Sequence, residues 1–173
     1  MHTNQGKGLE QLGIDELSNL FNKKELSPVE LTEHLLKYID EHNQPINAFV
    51  AMTPELAIEQ AKEAEKRMCN GERKSFFDGI PFAVKDVLFT KDAPTTAGSD
   101  IYRDFRPAKN AFVVDRLFDA GGVMLGKTNT HQFALFPTGD RSCFGPVHNP
   151  WNLNKMSGGS SSGSAAAVTA HLV

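Results

Sequence analysis

The sequence predicts an α/β fold that opens with a helical region. Three observations predict it. Residues 9–70 carry apolar side chains at helical spacing, bounded by strong helix starts and stops. Ile80-Pro81-Phe82-Ala83-Val84-Lys85-Asp86 is a short β-prone run that ends in charge. From there the order is strand, helix, strand through Leu125, the pattern of a layered α/β core. No internal repeat interrupts it.

The elements follow in order. Ile14, Leu17, Leu20 and Phe21 share one helical face within residues 12–26. Ser27-Pro28-Val29-Glu30 is a helix start: serine caps, proline suits the first turn, and glutamate can close a capping box. That helix carries Leu31, Leu35, Tyr38 and Ile39 inward to about His42, and Asn43-Gln44-Pro45 breaks it. Residues 46–52 read as a short strand. Thr53-Pro54 starts a helix with Ala57, Ala61, Ala64 and Met68 on one side, and Gly71 stops it. Asp78-Gly79 signals a turn before the 80–86 strand. Asn110 is placed to cap a helix over 111–120, Gly121-Gly122 ends it, and Val123-Met124-Leu125 is a strand.

Composition narrows the function classes. The 173 residues suffice for one domain with a sizeable core. A net charge of -3 excludes the basic footprint of a nucleic-acid binder. No apolar run is long enough to span a membrane, and the N-terminal MHTNQGKGLEQ lacks the apolar segment of a signal peptide. Cys69 and Cys143 form no CxxC pair and read as free thiols of a reducing cytoplasm. The histidines show no metal-ligand spacing, so neither a metal nor another cofactor is expected.

Gly121 to Thr128, GGVMLGKT, matches the letters of a phosphate-binding loop. Its context is reversed. A helix precedes the glycines, and Val-Met-Leu fills the would-be loop with a buried-strand pattern. Nucleotide binding is therefore the weakest of the functional readings.

Lys85 is the odd residue of its apolar run. It is either a strand-end lysine with its amine in water or a desolvated amine able to act as a base. Ser157 to Ser164, SGGSSSGS, holds five serines and three glycines. It is short, and it lies between the turn-forming Asn149-Pro150-Trp151-Asn152 and the helix-prone Ala165-Ala166-Ala167-Val168. A backbone built to approach a polarised carbonyl or an anion fits it better than a tether.

GIPFAVKD (79–86), GKTN (126–129), NPW (149–151) and GGSSSGSAAAV (158–168) occur together and in order. On these motifs the chain resembles the amidase signature family across nearly its whole length. The resemblance implies a mixed β-sheet covered by helices, with residues 1–173 as the N-terminal part of a single domain. The helical region would span about 9–70, and the catalytic core would begin near 76. It implies amide hydrolysis by a Ser–cis-Ser–Lys triad. Lys85 would be the base, Ser160 the bridging serine after a cis peptide, and Ala134, Gly158 and Gly159 would lie at the substrate. The substrate would be a small-molecule amide, held without direct nucleic-acid or membrane contact. The enzyme would be a homodimer, or an assembly with partner subunits if it is a tRNA-dependent amidotransferase. His131, Phe136 and Pro137 are weaker pocket candidates.

The departures matter. The family's nucleophile lies further along the chain, in a second Gly-Gly-Ser element that residues 161–173 lack. The chain therefore reads as the N-terminal portion of a longer enzyme, inactive alone, with a sheet edge and apolar surface exposed. The last helix has no polar stop before His171-Leu172-Val173. Ser162 stands where many members have glycine. His131-Gln132 stands where amidotransferase subunits carry an acidic pair, which favours a stand-alone amidase.

Overall fold

The fold is seen in a computed structural model that describes residues 7–173. The reading of the first six residues lies outside that range. Helix α1 runs Ile14–Lys23, α2 Pro28–Ile46, strand β1 Phe49–Met52 and α3 Pro54–Asn70. Strand β2 is Pro81–Lys85, α4 Phe112–Asp119, β3 Val123–Thr128, β4 His148–Asn149, β5 Asn152–Met156 and α5 Ser162–Thr169.

Local chemistry sets several boundaries where the sequence places them. Ser27 Oγ accepts from the Val29 amide at 3.0 Å and donates to Glu65, so the cap of α2 also ties it to α3. Such a cap contributes about 1 kcal/mol. Gly71 closes α3 at φ 75°.

Other boundaries need correction. Pro45 does not break α2; it lies inside the last turn, and Asn47 ends the helix in a left-handed conformation with its amide on Asn43 O at 2.7 Å. Proline removes its own amide donor, and the carbonyl left without that bond belongs to Glu41, an exposed residue. The first strand consequently starts at Phe49 rather than at residue 46, and α1 is shorter than 12–26. Asn110 does not cap α4. Ala111 holds that position, while the Asn110 side chain accepts from the Lys91 amide and donates to Asp115. The last helix does have a stop. It ends at Thr169, His171 turns at φ 56°, and the buried Leu172 returns its amide to Ala167 O at 2.8 Å.

The strands form a mixed three-stranded sheet in the order β1-β3-β2 and a β4-β5 hairpin. Strand β1 runs antiparallel to β3, and β2 parallel to it. One face packs on α1, α2 and α5 through Leu17, Phe21, Leu35, Ile80, Val123 and Leu125. The other packs Phe82, Val84 and Met124 on Val114 of α4. Alternation along β3 is broken once. Phe82 pairs with Met124 and Ala83 with Gly126, so Leu125 is an extra residue opposite no partner. Downstream of this bulge Lys127 pairs with Val84, on the α4 face, and Thr128 with Lys85, on the α5 face. Strands β1 and β2 are the sheet's edges, and Phe112, Leu135, Phe136, Trp151 and Val168 are exposed apolar side chains.

Candidate active site

Lys85 is the last residue of β2, half-buried, and its Nζ lies 2.7 Å from Ser160 Oγ. Burial holds the Lys85 amine below the ordinary lysine range. Lys85 and Thr128 are register partners, and Thr128 Oγ1 sits 2.7 Å from Ser164 Oγ of α5. Hydroxyl-bearing side chains of α5 and the segment before it therefore cover the lysine's face of the sheet.

Ser160 lies between β5 and α5, and its Gly159–Ser160 peptide is cis. The Ser160 carbonyl accepts from Thr130 Oγ1 at 2.9 Å and from the His131 amide at 3.1 Å. Two glycines permit this packing. A Cβ on Gly159 would fall 2.1 Å from Thr138 O, and one on Gly163 would fall 2.3 Å from Ala48 O. Gly163 in turn donates to Asn129 O at 2.9 Å, while Asn129 donates its own amide to Ala48 O at 2.8 Å. Ser157 Oγ bonds Ser162 O at 3.2 Å and so braces the start of α5. The SGGSSSGS stretch is thus a packed junction and not a tether.

The structure brings Lys85 and Ser160 into contact. Gly158, at φ 82°, and Gly159 lie directly before Ser160, and Gly159 is exposed. Ala134 is half-buried at φ 54° and follows Phe133 at φ 55°. Its tie to Ser160 is indirect: its amide donates to His131 O, and the His131 amide holds Ser160 O. The His131 ring is buried, edge-on to Phe136 at 5.4 Å, whereas Pro137 is exposed. Sequence reasoning assigned nothing to Asn129 and Thr130. Their signal was contiguity: Asn129 closes the GKTN motif, and Thr130 follows it directly.

Lys127 is not a phosphate-binding lysine. It lies within β3, fully buried, 3.2 Å from Asp86 Oδ1. Among the described residues no group of three or more His, Cys, Asp or Glu is placed to hold a metal, and no helix is long and apolar enough to cross a membrane.

Comparison with known proteins yields consistent neighbours. A family model described as Amidase matches residues 30–173. The A subunit of the glutamyl-tRNA(Gln) amidotransferase of Coxiella burnetii (strain Dugway 5J108-111) is 44% identical over 165 residues, 95% of this chain and 34% of that protein. The native peptide amidase of Stenotrophomonas maltophilia superposes with a TM-score of 0.88 at 33% identity, covering 94% of this chain and 35% of its own. A solved chain described in connection with a vestigial protein complex and the origins of an s-triazine catabolic enzyme gives 0.90 at 34% identity, covering 94% and 36%. The chain spans about a third of the length of these relatives.

Proposed function

This chain belongs to the amidase family, and on that premise we propose that Lys85 and Ser160 are the base and the relay of an amide-hydrolysing site. The carrying observation is the 2.7 Å contact between Lys85 Nζ and Ser160 Oγ. A half-buried amine whose pKa is drawn down by desolvation can be neutral and accept a proton along that line. Ser160 then passes on a proton taken from a nucleophilic serine. That serine attacks the amide carbonyl, the C–N bond breaks as ammonia or an amine leaves with the proton, and water hydrolyses the acyl-enzyme. Backbone N–H groups near the nucleophile stabilise the developing oxyanion. Ser160 Oγ has Lys85 as its hydrogen-bond partner among the described residues. Ser162 and Ser164 direct their hydroxyls to Asn129 O and Thr128 instead. The nucleophile is accordingly assigned to a segment outside residues 1–173. The exposed Gly159, with Gly158 and Ala134, is assigned to the substrate side, and the substrate is a small carboxylic amide.

The test is amide hydrolysis by the whole enzyme carrying Lys85→Ala or Ser160→Ala. Each is expected to lower kcat by at least about 100-fold with unchanged circular dichroism. A wild-type rate in Lys85→Ala would sink the base assignment. Turnover by residues 1–173 alone would overturn the assignment of the nucleophile to a later segment.

A second reading is carried by the 44% identity to the amidotransferase relative. The enzyme would then hydrolyse glutamine and pass ammonia to partner subunits. Copurifying partners, with glutaminase activity dependent on them, would favour it. Turnover of simple amides without partners would favour a stand-alone amidase, the direction in which His131-Gln132 points.

A further inference from the structure

The Gly126-Lys127-Thr128 stretch is left without a role once phosphate binding is discarded. Lys127 Nζ lies against Asp86 Oδ1 at 3.2 Å, and its three N–H groups are shared among Leu88 O at 3.0 Å, Thr90 Oγ1 at 3.0 Å, Pro94 O at 3.2 Å and Thr95 Oγ1 at 2.9 Å. Every atom of that ring can accept, so the enclosure suits a cation. Asp86 is 1% exposed, and Thr96 supports its carboxylate with an amide at 3.2 Å and with its hydroxyl. The pair is net-neutral and desolvated, and its partners run the length of residues 86–96.

That loop reaches the candidate site by two routes. Asp86 follows Lys85 in the chain, and its amide donates to Thr128 O at 3.0 Å. Its carbonyl accepts from Ala97 at 2.8 Å, and Ala97 O accepts from Phe133 at 2.8 Å. Phe133 belongs to the turn whose His131 amide holds Ser160 O. A shift of Asp86 therefore disturbs the end of β2 and the support of Ser160 together.

We infer that Lys127 is a positioning residue for the Lys85–Ser160 pair: it cancels the charge of Asp86 beneath the sheet and clamps the loop that aligns both partners. This rests on the reading of Lys85 as the base. A buried carboxylate next in the chain favours the ammonium form of Lys85, and an adjacent cation offsets that field. The titratable groups on the elements around Lys85 include Asp86, Lys127 of β3, and His131 of the turn that supports Ser160; Arg103 lines the same small cavity as Asp86, and Cys143 lies within reach of the charges of both. Lys91 and Asp92 of the 86–98 loop flank the acceptor ring, and α5 contributes hydroxyls. Burial lowers the pKa of Lys85.

The experiment is acylation of the intact protein by acetic anhydride across pH, with Lys85 read by mass spectrometry against the exposed Lys37. It needs no turnover, so its failure is distinct from a failure of Lys85→Ala to abolish activity. Lys127→Met leaves Asp86 without its cation and should slow Lys85 acylation by about threefold to tenfold at fixed pH, with Lys37 unchanged. The neutral double variant D86N/K127M should return the Lys85 profile to that of the wild type. A purely structural role would lower stability without moving the Lys85 profile selectively. A folded Lys127→Met with a wild-type Lys85 profile overturns the proposal. If Lys127→Met does not fold, the double variant decides: a wild-type profile supports the proposal and a displaced one overturns it. If neither folds, the pair is a core requirement and the proposal falls.

Discussion

Lys85 and Lys127 lie near the ends of two neighbouring strands one register step apart, yet the two faces of the sheet treat them differently. On the α5 face, Lys85 is half-buried and meets a single hydroxyl, that of Ser160. On the α4 face, Lys127 is fully enclosed by acceptors and an acidic partner. Burial draws both amines down, and at Lys127 alone Asp86 opposes it. On the proposed reading, the difference separates a lysine placed to exchange a proton with Ser160 from one enclosed by the acceptors of the 86–96 loop. Removing the first amine is then expected to cost chemistry, and removing the second to cost stability.

The largest test of this contrast is thermodynamic. Lys127→Met leaves a buried carboxylate unpaired and should cost about 3–5 kcal/mol in urea unfolding. Lys85→Met on the opposite face should cost less than about 1 kcal/mol. Equal losses would erase the distinction. Next, Gly163→Ala drives a methyl toward Ala48 O and the Asn129 amide, at 2.3 and 2.4 Å. It should cost about 1–3 kcal/mol and lower activity, because α5 and Ser160 would shift together.

A subtler test is pH. Because the folded pKa of Lys85 is lowered, the neutral base is populated at lower pH than for an ordinary lysine. Activity should rise with pH through that lowered value. The sign for stability follows from proton counting. Between the folded and unfolded pKa values the unfolded chain binds more protons, so stability should rise with pH there. Lys85→Met should remove that slope. The smallest effect is expected at Glu10, ahead of α1. Glu10 is held below the usual carboxylate range mainly by its own backbone amide, with His34 at 2.8 Å assisting. Its contribution is present at neutral pH and is lost as pH falls through the lowered pKa, so Glu10→Gln should cost only about 0.5 kcal/mol, measured at neutral pH.

What was legible in the sequence was local. Ser27-Pro28 and Gly71 set helix ends through atoms within a few residues of themselves. Pro45 and Asn110 misled because their effects depended on position within the turn and on Asp115 and Lys91. The bulge at Leu125 was illegible, since it exists only against β2. The residues alone left Lys85 between a surface and a buried role, because Ser160 is 75 positions away. Resemblance supplied that pairing. The acceptor ring of Lys127 lies more than 30 positions upstream of it, so no reading of GKT by itself could reveal it.

The extra residue at Leu125 also sets the electrostatic frame. Were β3 paired with β2 without it, the position opposite Lys85 would fall to Lys127 in place of Thr128. Two amines would then stand side by side on one face, about 5 Å apart at Cα, each opposing the other's protonation, while a threonine faced Asp86 below. One uncounted backbone residue thus keeps the two amines in separate compartments of the sheet.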